Sequence, residues 1–155
     1  MKRAQLMVAA IENGTVIDHI PSNRLFEVIR LLRIEELDHD TVFIGYHLKS
    51  RVMGTKSIIK IANRFFSEQE LNSLAVVAPN VTLSIIRDFE VEAKFRVELP
   101  HEICGIIKCN NPKCICNNEP MPTRFIAQGN TVKCYYCEKE QELPAVKLTD
   151  DLGKA

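Results

Sequence analysis

Apolar and polar positions follow two different rhythms along the first hundred residues. Residues 6–11 and 14–20 read as extended segments rich in aliphatic and β-branched side chains, with Glu12-Asn13-Gly14 as the turn between them. Pro21-Ser22 then starts a helix, with Ser22 as its expected N-cap. Leu25, Val28, Ile29 and Leu32 follow at i, i+3, i+4 and i+7, which is one stripe to be buried. Residues 41–48 and 57–61 are the next strands. Ser67-Glu68-Gln69-Glu70 is a capping box, with Phe66 and Leu71 placed as a hydrophobic staple. The helix it opens is expected to bury Leu71, Leu74, Ala75 and Ala78 before Pro79 closes it. Residues 81–86 and 89–97 then pair as a hairpin around Arg87-Asp88.

The order strand, helix, strand, strand, helix, strand predicts an α+β fold of the ferredoxin-like kind: an antiparallel sheet with two helices on one face. Composition shifts after Leu99-Pro100, so two domains are expected, residues 1–99 and a small all-β domain over residues 100–155. Residues 149–155 carry no apolar pattern and are expected to fray.

At 46% apolar and 26% charged the composition is that of an ordinary globular protein. The apolar stretch after Met1-Lys2-Arg3 is too short for a signal peptide and lacks a small-residue cleavage site. No run reaches the length of a membrane span. A cytoplasmic chain is expected, in a reducing compartment where paired cysteines bind metal more often than they form disulfides. Charge balances within each part: 13 basic and 13 acidic side chains precede Pro100, and 7 of each follow.

Against that background the cysteines change the picture. Cys109 and Cys114 are spaced C-x4-C; after 19 residues, Cys134 and Cys137 form C-x2-C. Two close pairs with a hairpin-sized gap are the spacing of a closed four-thiolate zinc site. Two disulfides are the alternative. Cys104 stands five residues before Cys109 and so also has pair spacing, but Ile103-Cys104-Gly105-Ile106-Ile107 reads as an apolar strand, whereas Cys109 and Cys114 bracket turn residues. Cys104 is therefore read as a small core residue and Cys116 as a loop thiol. Four protein ligands leave no position open for substrate, so one zinc per chain is expected, in a structural role. A zinc ribbon that binds nucleic acid needs a basic face, and this chain lacks the surplus.

Catalytic motifs are missing. Neither phosphate-binding glycine loop occurs, no serine sits in a nucleophile elbow, and no Glu stands beside an open zinc position. A stand-alone enzyme would turn over substrate when purified alone, and none is expected. The polar cluster that stands out is Asp18-His19, inside an otherwise apolar run ending at Pro21. Adjacent strand residues point to opposite faces, so the plain reading is a strand end reaching solvent. Lys60 and Lys94, also in strand-like surroundings, ordinarily snorkel to water. The sharper alternative is that His19 and both lysines neutralise a polyphosphate on the sheet while Asp18 accepts from a ribose hydroxyl.

Gly14-Thr15-Val16-Ile17-Asp18-His19-Ile20-Pro21, Met53-Gly54 with Lys56, and Ile58-Ile59-Lys60-Ile61 with Asn63 together resemble the regulatory chain of aspartate carbamoyltransferase. So do Ser67-Glu68, Ala78-Pro79 and the cysteine quartet with Tyr136-Cys137-Glu138-Lys139-Glu140. The resemblance runs from about Leu6 to Val146. It implies a non-catalytic subunit that binds CTP as inhibitor and ATP as activator, with UTP often assisting CTP. It further implies pairing through the N-terminal domains, and a zinc domain that holds the catalytic chain, bridging two catalytic trimers in pyrimidine biosynthesis. By position, the resemblance places Ala10, Ile11 and Val16 on the base and ribose side of the pocket. It makes Asp18 and Lys60 ribose contacts, His19 and Lys94 triphosphate contacts, and Ile86, Phe89 and Val91 the pocket wall. The chain departs from the family at Ser84, where Asn is frequent, at Phe89, where an aromatic hydroxyl is frequent, and at Gln5, where a basic residue is frequent.

Overall fold

A computed structural model describes residues 10–37, 40–150 and 152. The chain divides into two compact units between Glu98 and Leu99.

In the first unit, β1 (Gly14–Ile20), α1 (Leu25–Leu31), β2 (Val42–Ser50), β3 (Gly54–Ala62), α2 (Glu68–Asn72), β4 (Thr82–Arg87) and β5 (Glu90–Arg96) follow in chain order. The sheet order is β2-β3-β1-β4-β5, antiparallel at every pairing. This is the ferredoxin-like arrangement with a fifth strand added at one edge. Alternation along β1 explains which face is covered: Thr15, Ile17 and Ile20 are buried, as are Ile59 and Ile61 of β3 and Leu83 of β4. They make the core together with Leu25 and Val28 of α1, Leu32 at its C-cap, Leu71 of α2, and Leu74, Ala75 and Ala78, which lie beyond α2 because the expected helix tightens into a 3-10 turn over Ser73–Val76. Val16, Lys60 and Ser84 alternate to the opposite, helix-free face and are half-buried.

One local feature fixes where β1 lies. Gly14 has φ +143°, and a Cβ there would lie 2.1 Å from the Ile61 carbonyl oxygen of the neighbouring strand. Only glycine allows that approach. Ser67 Oγ accepts from the Glu70 N–H and the Glu70 carboxylate accepts from the Ser67 N–H, so the expected capping box is present. The expected N-cap at Ser22 is not: the helix opens through a 3-10 turn over Ser22–Arg24, and no side chain caps it. Ser22 is buried instead, and its hydroxyl bonds Ser57 Oγ at 3.0 Å, a tertiary contact that local propensity does not anticipate. Of the strand expected over residues 6–11, residues 6–9 lie outside the described residues, and Ala10 and Ile11 are irregular.

The second unit is a meander of β6 (Glu102–Cys104), β7 (Arg124–Gln128), β8 (Thr131–Cys134) and β9 (Glu140–Glu142), in that order, with a single turn of helix, α3 (Ile115–Asn118), before β7. Ile103, Ile107, Phe125, Val132, Leu143, Val146 and Leu148 make its core. The expected strand over residues 103–107 stops at Gly105, which takes φ +71°. Cys104 is exposed, not core, and its thiol donates to Glu102 at 3.5 Å. Thr149 is not frayed: its N–H donates to Ile106 O at 2.9 Å and its hydroxyl to Gly105 O at 3.1 Å, while Leu148 bridges Ile107. Asp151 and residues 153–155 lie outside the described residues. No described helix is long and apolar enough to cross a membrane.

Candidate functional site

The cysteines converge. Cys109 Sγ lies 3.7 Å from Cys137 Sγ, and Cys114 Sγ lies 3.7 Å from Cys134 Sγ. A disulfide needs about 2.05 Å, and all six thiols are free. Four sulfurs each about 2.3 Å from one zinc ion are separated by roughly 3.8 Å along a tetrahedral edge. The observed spacing is therefore that of metal ligands. Cys109, Cys114 and Cys134 also form, with Cys116, a buried group whose sulfurs all lie within 4.8 Å of one another. Cys116 is thus no loop thiol. It is buried on α3, with its Sγ 3.3 Å from that of Cys114.

The backbone around the sulfurs is held from several sides. Asn117 Nδ2 donates to the carbonyls of Cys109 at 2.9 Å and Asn111 at 2.7 Å; Asn118 Nδ2 donates to those of Pro112 at 3.0 Å and Cys114 at 2.8 Å. On the other loop, Glu138 takes φ +63° and donates its N–H to Cys134 O at 2.9 Å. Burial pushes the Cys109 thiol up to about 12, against the Asn111 N–H that favours its thiolate. Burial likewise raises Cys134, against the N–H groups of Cys137 and Tyr136. At Cys137 burial also acts upward, but the Lys139 N–H, Asn111, Cys109 and Cys134 outweigh it and bring the thiol down to about 7. Buried thiols crowded this closely fit a dication. When bound, it supplies the positive charge that ionises them.

The second site is on the sheet. Strand register sets Phe43, Lys60, Val16, Ser84 and Lys94 in one row, directly opposite one another across β2, β3, β1, β4 and β5. From Lys60 to Lys94 that row spans three strand spacings, roughly 14 Å. Burial lowers the Lys60 pKa, while the Asp18 carboxylate opposes the shift. Beside the row, β1 carries a bulge: Ile17 faces Ile59 but Ile20 faces Ser57, so Asp18 and His19 together oppose one residue. His19 takes φ +61°. Asp18 Oδ1 accepts from the His19 N–H at 2.6 Å and pairs with Lys56 Nζ at 2.9 Å, and His19 Nδ1 lies 3.1 Å from Thr82 Oγ1. Strict alternation at Asp18-His19 is therefore broken, and both side chains are half-buried and partnered near the end of β1.

At the far end, Asp88 and Phe89 both take positive φ, +52° and +66°, in the two-residue turn between β4 and β5. The Phe89 N–H donates to Glu12 O at 2.8 Å, and the Asp88 N–H to Asn13 Oδ1 at 3.2 Å. The turn is thereby tied to the segment following Ala10 and Ile11. Ile86 is buried; Phe89 and Val91 are exposed, as is Ala10. Gln5 lies outside the described residues.

Comparison with known proteins decides the family. Residues 6–98 match the allosteric domain of the aspartate carbamoyltransferase regulatory chain, and residues 101–147 match its metal-binding domain. The chain belongs to that family. It is 56% identical to the aspartate carbamoyltransferase regulatory chain of Bacteroides thetaiotaomicron over 146 residues, covering 92% of this chain and 95% of the relative. It is 53% identical to that of Porphyromonas gingivalis over 143 residues, covering 90% and 94%. It is 44% identical to that of Pyrococcus abyssi over 143 residues, with the same coverage of 90% and 94%. The regulatory chain is thus non-catalytic, consisting of an allosteric unit and a metal-binding unit.

Sequence reasoning missed four supporting residues of this regulatory chain. Lys56 was noticed only within the resemblance, and Thr82 is marked by nothing local. Asn117 and Asn118 left a trace, an Asn pair directly after Cys-x-Cys. Their capacity for two donors each is what a loop with several unpaired carbonyls requires.

Proposed function

We propose that the first unit binds nucleoside triphosphates without hydrolysing them, CTP as inhibitor and ATP as activator, with UTP assisting CTP. The observation that carries this is the cross-sheet row bounded by Lys60 and Lys94 on the helix-free face, flanked by the Asp18–His19 bulge. Lys94 and His19 hold the polyphosphate. Lys60 and Asp18 meet the ribose, Ala10, Ile11 and Val16 border base and ribose, and Ile86, Phe89 and Val91 form the wall beyond Ser84. A binding event on this sheet controls catalysis only through different affinities for two quaternary states, a coupling of roughly 1–3 kcal/mol.

The second unit, over residues 100–155, holds one structural zinc through Cys109, Cys114, Cys134 and Cys137 and docks on the catalytic chain. Ile115, Tyr135 and Tyr136 are exposed on the loops that the sulfurs tie together, and aromatic residues of this kind anchor protein interfaces. Two regulatory chains pair through residues 1–99. Exposed Ile44 and Tyr46 of the edge strand β2 and exposed Phe26 of α1, its ring 6.0 Å from that of Tyr46, support that pairing. The paired chains bridge catalytic trimers in the cytoplasm, at the entry to pyrimidine biosynthesis.

Calorimetric titration of the purified chain with CTP and with ATP tests the pocket. Lys94→Ala and Lys60→Ala each remove a charge-assisted contact worth roughly 1.5–3 kcal/mol. Both are expected to weaken CTP and ATP alike, by about tenfold or more. Phe89→Tyr is expected to change the preference between them little, because side-chain identity at a turn tip matters less than its main chain. Unchanged affinity in both lysine variants refutes the pocket.

A further inference from the structure

Five sulfurs gather where a tetrahedral ion needs four. Cys109, Cys114 and Cys134 are common to the buried group and to the two close pairs of the sequence spacing. The fourth place has two claimants: Cys137, 3.7 Å from Cys109, and Cys116, which completes the buried set within 4.8 Å. We propose that Cys116 and Cys137 are alternative fourth ligands, so that the metal stays bound while either one is released.

Three observations support the exchange. Cys114 and Cys116 stand 3.3 Å apart, so separating them to a tetrahedral edge of roughly 3.8 Å takes only a small movement. The Cys114 carbonyl accepts from Asn118 Nδ2 at 2.8 Å and from the Asn117 N–H at 3.0 Å, and Cys116 sits on the helical turn between them, so it is presented without ordering a new loop. Cys137, in contrast, is the one clustered cysteine that is partly exposed, and it sits on a loop with exposed Tyr135 and Tyr136. The swap balances: the Cys116 thiol gives up its proton as its sulfur binds, the Cys137 thiolate takes one as it leaves, and the charge of the centre is unchanged. Its effect is to free the Tyr135–Tyr136 loop without losing the ion.

The inference rests on metal occupancy of the cluster, and the experiment separates the two. The full chain, Cys116→Ser, Cys137→Ser and the double variant are purified and assayed for bound zinc, then reloaded with cobalt(II) to count thiolates by charge-transfer absorbance. One equivalent of zinc and a four-thiolate cobalt signal are expected in the parent and in both single variants, with loss of zinc or a three-thiolate signal in the double. A parent chain without metal refutes the metal centre itself. A metal-bearing parent whose Cys137→Ser variant loses its zinc, or shows three thiolates, overturns the exchange and leaves Cys116 as a hydrogen-bond donor to Cys114. Mass mapping after iodoacetamide gives a check that needs no variant at Cys137. Alkylation of Cys137 is expected to leave zinc bound in the parent and to release it in Cys116→Ser; release in both overturns the proposal.

Discussion

Replacing Asp18 by Ala separates the structural work of the bulge from the ligand contact proposed for it. The carboxylate accepts from the His19 N–H at 2.6 Å and pairs with Lys56 at 2.9 Å, with side chains 26% and 21% exposed. A hydrogen bond to a charged acceptor contributes roughly 1.5–3 kcal/mol. The partly exposed ion pair adds no more than about 1 kcal/mol. Because His19 is held at φ +61°, the N–H bond also offsets a backbone conformation that a side-chain-bearing residue rarely adopts. Asp18→Ala is thus expected to destabilise the first unit by about 2–3 kcal/mol. For a unit of this size each kcal/mol lowers Tm by roughly 4–8 °C. Asp18→Asn keeps an oxygen for the N–H and loses the ion pair, so its cost is expected to be about 1 kcal/mol. Scanning calorimetry of the three chains, with and without nucleotide, supplies both readouts. Equal losses in the Ala and Asn variants refute the N–H bond as what holds the bulge; no loss in either refutes the whole arrangement.

Cys109→Ser, Cys114→Ser and Cys134→Ser each remove a proposed ligand with no alternative, and chelation would remove the ion. Either is expected to unfold the second unit and abolish association with catalytic chains, read by zinc content and size-exclusion chromatography. Gly14→Ala places a Cβ 2.1 Å from a fixed carbonyl, so a loss of about 2 kcal/mol or more is expected in urea unfolding. Nucleotide binding is expected to take up protons at alkaline pH. Burial lowers the Lys60 pKa in the free chain and a bound polyanion raises it, so affinity falls as pH rises from the free value through the bound one. Titration in buffers of different ionisation heat measures the uptake, and proton release would contradict the sign.

Much of this was legible from residues alone. The capping box at Ser67 and the stripe Leu25, Val28, Ile29, Leu32 are local signals; the box holds, and the stripe is buried except at Ile29, which is half-buried. Ser22 misled because the same hydroxyl serves a cap or a tertiary bond equally well, and only the proximity of Ser57 chooses. Cys104 and Cys116 were inverted for a similar reason. Apolar neighbours made Cys104 look buried, although its strand ends at Gly105; polar neighbours made Cys116 look exposed, although those asparagines turn inward to the knuckle carbonyls. The bulge at Asp18-His19 has no signature in a two-residue alternation, because it is defined by a partner strand some forty residues away.

That distance has a consequence for how the chain comes into being. β1 is made first, yet it is central in the sheet, and its neighbours β3 and β4 follow only after long intervening stretches. Val16 waits for Lys60 on one side and Ser84 on the other, and Lys94 arrives later still. Closing such long loops is slow and depends on non-local contacts. The two cations that bound the row therefore meet only when nearly the whole first unit has left the ribosome. The nucleotide proposed to grip both would reward only the finished sheet and stabilise it by mass action. The cell's own triphosphate pool would then act on nascent regulatory chains as a maturation ligand, before any catalytic chain is met.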